Sequence, residues 1–88
     1  MKLSQEKRDK IQEQILSFLY HSFPKPFFTA EIAREIVRDE EFIKELLIDL
    51  KNKGLINPIR KNSKGIAYSR RIRWILSPKA HQAYKQQI

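Results

Sequence analysis

Between Ser4 and Ser22 the apolar residues Ile11, Ile15, Phe18 and Leu19 recur at i, i+4, i+7 and i+8, with Leu16 and Tyr20 widening the stripe. That is the period of a helix with one buried face, and it predicts a first helix over 3–22. The run Phe-Pro-Lys-Pro at 23–26 ends it, because proline has no amide hydrogen to donate and holds its predecessor extended. Phe27 and Phe28 suit a very short strand. Thr29 is then placed to cap a second helix over 29–37 that turns Ile32, Ala33 and Ile36 inward. Asp39 is the next capping residue, and Ile43, Leu46, Leu47 and Leu50 form the inner face of a third helix over 39–53, stopped by Gly54.

Past Gly54 the period falls from that of a helix to that of a strand. Leu55 to Ile59 reads as a strand that Pro58 confines to an edge or a bulge, and Asn-Ser-Lys-Gly at 62–65 is turn chemistry. On the return, Ile66, Tyr68, Ile72, Trp74 and Leu76 share one face while Ser69, Arg71 and Arg73 share the other. The whole forms a hairpin over 55–76, and two registers suit it: residue 61 opposite 66, or 59 opposite 72 with a longer tip. Ser77 and Pro78 open a closing helix over 77–88, with Ala80, Ala83, Tyr84 and Ile88 on one side. The expected architecture is mainly α with a small β-hairpin, a single domain over residues 1–88.

Charge changes the picture, because it is unevenly placed. The net charge is +8, yet residues 1–28 carry five basic and three acidic side chains, residues 29–54 five and seven, and residues 55–88 eight and none. The hairpin alone holds Arg60, Lys61, Lys64, Arg70, Arg71 and Arg73. Lysines at a strand edge would serve solubility, whereas the preference for arginine suits phosphate, which a guanidinium grips with paired donors. Trp74 lies on the packing face and reads as core, with stacking on a base as the alternative.

Other chemistry is scarce. With no cysteine there is neither a disulfide nor a thiolate zinc site, and His21 and His81 stand far apart without a paired ligand, so no metal is expected. Two glycines rule out the glycine-rich phosphate loops, and no serine-histidine-acid set is present. The expectation is a protein without enzymatic activity or cofactor. The opening MKLSQEKRDKIQEQ is too polar for a signal peptide, and no apolar run approaches the ~20 residues a bilayer requires. A soluble, cytoplasmic protein with no membrane partner is expected, associated with the nucleoid if it binds DNA.

The order helix, short strand, helix, helix, strand, wing, strand, helix resembles the winged helix-turn-helix family of DNA-binding domains. Phe28 to Ile56 is similar to the usual run of that family: Thr29, Ile32, Ala33 and Ile36, a turn, Asp39, then Ile43, Leu47, Leu50 and the Lys-Gly-Leu-Ile of 53–56. The tail RWILSPKAHQAY at 73–84 looks like the passage from second wing strand to closing helix. Val37 stands where the family commonly has a turn glycine.

The resemblance implies double-stranded DNA as partner, with the third helix at the major groove and the wing on phosphates or the minor groove. It implies a transcriptional regulator or small DNA-associated factor. Lys44, Lys51 and the amino end of the second helix at Thr29 would fix register on the backbone, beside the six basic wing residues. The outward positions of the third helix, however, are Glu40, Glu41, Lys44, Glu45, Ile48 and Asp49, four of them acidic. Glu40 and Glu41 complement the helix dipole, and the wing therefore carries most of the expected affinity. Two alternatives stand beside this reading: a protein-binding adaptor that docks through the acidic third helix and Ile48, and an RNA-associated winged helix. The apolar sides of the first and closing helices would pack on each other or form the seam of a homodimer.

Overall fold

A computed structural model describes residues 4–59 and 72–87. The elements run α1 (Gln5–Ser22), β1 (Phe27–Phe28), α2 (Thr29–Ile36), α3 (Glu40–Asn52), β2 (Ile56–Ile59), β3 (Arg73–Leu76) and α4 (Pro78–Gln87). Arg60, Lys61, Lys64, Arg70 and Arg71 lie outside the described residues.

Helix starts follow local side-chain chemistry. Ser4 accepts from the Lys7 amide at 3.3 Å and Asp39 from the Phe42 amide at 3.2 Å, each satisfying a first-turn donor that has no partner within its helix. Ser77 accepts from the Ala80 amide at 3.1 Å and donates to the Gly54 carbonyl at 2.9 Å, so one hydroxyl caps α4 and ties it to the end of α3. Thr29 behaves differently from its expected role as a cap. It is the first residue of α2, and the preceding Phe28 amide donates instead to the Glu31 carboxylate at 2.8 Å. The Thr29 hydroxyl accepts from the Trp74 indole N–H at 2.9 Å.

Two helices end in the same way. After α3 the Leu55 amide bonds the Leu50 carbonyl and the Gly54 amide bonds that of Lys51, with Gly54 at φ +79°. After α2 the Arg38 amide bonds the Ala33 carbonyl and the Val37 amide bonds that of Arg34, with Val37 at φ +60°. Both are paired-bond stops that need a left-handed residue. Glycine supplies it freely in one, and a β-branched residue is forced into it in the other.

The core is where the helical stripes meet the sheet. Ile11, Ile15 and Leu19 of α1, Ile32 and Ala33 of α2, and Ile43, Leu46, Leu47 and Leu50 of α3 are buried with Ile56, Trp74, Leu76 and Ala80. Burying each large aliphatic side chain is worth about 1.5–3 kcal/mol. Gln12 is buried among them, its amide donating to the Asp49 carboxylate at 2.9 Å and the Leu46 carbonyl at 3.4 Å. Asp49 therefore turns toward α1 and toward Lys53, 3.1 Å away, rather than outward as expected.

The strands form one antiparallel sheet in the order β1-β3-β2. Ile56 pairs with Leu76 and Ile59 with Arg73, a register one residue beyond the longer-tipped of the two expected and far from the other. Residues opposite each other share a face, so buried Ile56 must oppose a buried position, and a shift of one would set Ile56 against Ile75. Pro58 does lie on an edge strand, where a missing donor costs no ladder bond.

The closing helix docks within the chain. Tyr84 stacks on Tyr20 with ring centroids 5.3 Å apart, and His81 stacks on Phe23 at 4.1 Å and lies 5.3 Å from Tyr20. Its inward face is Ala80, His81 and Tyr84; Ala83, expected there, is exposed.

Candidate nucleic-acid interface

Four of the nine sequence-derived contact residues, Thr29, Lys44, Lys51 and Arg73, fall among the described residues. Two of them, Thr29 and Lys44, line one groove. Phe28, Thr29 and Ala30 at the start of α2, Glu40, Glu41 and Lys44 in the first turns of α3, and Ile72 and Trp74 along β3 line a cleft of about 450 Å³. Arg73 lies beside it, its guanidinium carbon 5.9 Å from the centre of the ring of Phe28, which does line the groove.

Each side chain is placed for a local reason. β1 is short enough that its two residues simply alternate: Phe27 turns in and meets the Phe18 ring at 4.7 Å, while Phe28 turns out. The partner strand alternates in step, with Trp74 buried opposite Phe27 and Arg73 exposed opposite Phe28. The Trp74–Thr29 bond then fastens the start of α2 to the middle strand. Trp74 is 2 % exposed, which settles its role as core rather than as a stacking platform.

Lys44 and Lys51 are seven residues apart on α3, so they share a face about 10 Å apart along the axis. Between them on that face lies Ile48, 43 % exposed. Lys51 is thus on the line of the groove but two turns from it. Glu40 and Glu41 put two carboxylates beside Lys44, and the groove floor carries no positive excess of its own. Among the described residues, Arg73 adds to Lys44 the second cation at this end.

Phe28 and the indole bond to Thr29 had escaped the sequence reading. Both depend on which residues face each other across β1 and β3, and two-residue β1 carries no periodicity from which to read that. Elsewhere, among the described residues, no group of three or more histidines and carboxylates is placed to hold a metal ion, and no helix is long and apolar enough to cross a membrane.

No protein-family model matches the chain, and no curated protein matches it. Solved structures do. The Staphylococcus aureus MepR–DNA complex aligns at 23 % identity and a TM-score of 0.69, over 92 % of this chain and 66 % of that one. A mutant MepR from a multidrug-resistant S. aureus clinical isolate aligns at 21 % and 0.71, over 88 % and 53 %. The zinc-responsive MarR family member ZitR of Lactococcus lactis aligns at 24 % and 0.67, over 99 % and 52 %. The chain spans about half the length of most of these proteins. Identity at this level speaks to architecture, and together with the order of elements and the β1-β3-β2 sheet it establishes the winged helix-turn-helix fold for this chain.

Proposed function

We propose that the protein binds double-stranded DNA, as a transcriptional regulator or small DNA-associated factor of the cytoplasm or nucleoid. The basic hairpin is its main contact with phosphates or the minor groove. The observation that carries this reading is charge placement: residues 55–88 hold eight lysines and arginines and no acid, six of them between Arg60 and Arg73. Such a footprint suits a polyanion, since each phosphate neutralised releases a counterion. A solved structure of similar fold, MepR, is a DNA complex, which adds support from analogy of fold.

In this reading Arg60, Lys61, Lys64, Arg70, Arg71 and Arg73 grip the backbone, and Lys44, Lys51 and Thr29 fix register on it. Glu40, Glu41 and Glu45 on α3 weaken attraction there, so the hairpin leads. The test is a ranking by gel shift. Replacing Arg71 and Arg73 together with alanine is expected to weaken duplex binding at least tenfold, while Glu41→Ala leaves it unchanged or tightens it, because removing a carboxylate near phosphate relieves repulsion. The reverse order would overturn the hairpin-led reading. No observation favours the RNA or adaptor reading over this one. If the working assembly is a homodimer, its seam is not the stack of Tyr84 on Tyr20 and His81 on Phe23, which forms within one chain; a monomer in sedimentation at micromolar concentration would refute the dimer.

A further inference from the structure

Arg73 sits in the middle strand of the sheet, and the residues flanking it across the outward face are Phe28 on β1 and Ile59 on β2. A charged side chain is thus laid across an otherwise apolar row. Phe28 is a large hydrophobic residue left 36 % exposed, while its neighbour Phe27 serves the core. Burial does not explain the outward ring. A cation does: the Arg73 guanidinium lies over it, 5.9 Å from its centre and within the ~6 Å over which ring and cation attract. Among the described residues the ion pair present is Asp49–Lys53, so none of the carboxylates described there orients Arg73.

We propose that Phe28 is a positioning residue for Arg73, a reading that rests on the DNA-binding function above. A guanidinium resting on a ring uses its flat face there and keeps its in-plane N–H donors for an anion. The long side chain is also confined before binding, so less freedom is lost when a phosphate is gripped. The ring holds Arg73 beside the groove that Phe28 lines with Thr29 and Lys44, where the base of the hairpin meets the start of α2.

The proposal is tested by a double-mutant cycle on duplex affinity with Phe28→Leu, Arg73→Ala and the double variant, each checked for an unchanged circular dichroism spectrum. Phe28→Leu keeps the apolar bulk and removes the ring. It is expected to weaken binding about two- to fivefold in the wild-type background, the range of an exposed cation–ring contact. In the Arg73→Ala background it is expected to have no effect, and Phe28→Tyr restores full affinity. Equal losses in both backgrounds would mean that the ring touches DNA itself, and no loss in either would mean that it does nothing; both overturn the proposal. A second measurement does not need DNA. In the free protein the Arg73 Cδ–H resonances are expected upfield under the Phe28 ring current and to move back in Phe28→Leu. Unshifted resonances would sink the positioning role even if duplex binds, whereas shifted resonances in a protein that binds no duplex would sink the DNA reading alone.

Discussion

Val37 holds a conformation that suits glycine. Its φ of +60° closes the stop of α2, and its side chain is 81 % exposed, so no packing offsets the strain. A left-handed residue with a Cβ costs about 1–2 kcal/mol, and glycine gives back part of that through its freer unfolded chain. Val37→Gly is therefore expected to stabilise the fold by about 0.5–1 kcal/mol, raising the midpoint of thermal unfolding by roughly 4 °C. A lower midpoint would contradict the left-handed assignment. Asp49 makes a second residue-scale prediction. The Gln12 amide foremost, then the Lys53 ammonium, hold its carboxyl below the ordinary carboxylate range, against the opposing effect of burial. An acid with a depressed folded value contributes stability above its unfolded value, near pH 4, and loses it as pH falls through the folded one. Asp49→Asn should thus be less stable at neutral pH and lose less between about pH 4 and pH 2. The difference will be small, as the carboxylate is half exposed. Urea unfolding across that range reads it, and parallel acid limbs for the two proteins would refute it.

At the scale of elements, α4 is held by rings more than by aliphatic bulk. Of its described residues only Ala80 is buried apolar core, and the remaining grip is Tyr84 on Tyr20 and His81 on Phe23. Burial, with Glu13 nearby, pushes the Tyr84 phenol up, which agrees with its packing against α1. Aromatic pairs contribute about 0.5–1.5 kcal/mol each. Tyr84→Ala is expected to speed amide hydrogen exchange in α4 severalfold while leaving α2 and α3 protected; unchanged protection in α4 would show that the stack does not hold it. The sequence was a good guide to elements that carry their own signals. The apolar stripes located α1, α2 and α3, and local chemistry marked the start of α3 at Asp39, its stop at Gly54 and the start of α4 at Ser77, whereas the Ser4 cap of α1 was not read from the sequence. What it could not supply was pairing at a distance. The register of β2 on β3 needed the demand that Ile56 and Leu76 both face the core. The inward turn of Asp49 needed Gln12, 37 residues away, and the Thr29 hydroxyl was claimed by an indole 45 residues away instead of by its own helix. In each case a distant partner outcompeted the local one.

For the whole molecule, the groove was legible in part. Thr29 and Lys44, picked from motif and charge, line it together and Arg73 lies beside it over the Phe28 ring, whereas Phe28 itself emerges only once the strands are aligned. The wider claim is that an acidic first half of α3 is offset by a cationic hairpin, so that attraction to DNA is electrostatic and hairpin-led. Salt dependence of affinity for a random-sequence duplex reads that attraction without assuming an operator. Neutralising about four to six phosphates gives a log–log slope of roughly −4 to −5. That slope is expected of the intact protein, with a drop of about two units when Arg71 and Arg73 are both alanine. No binding at low salt, or a slope near zero, would contradict hairpin-led attraction.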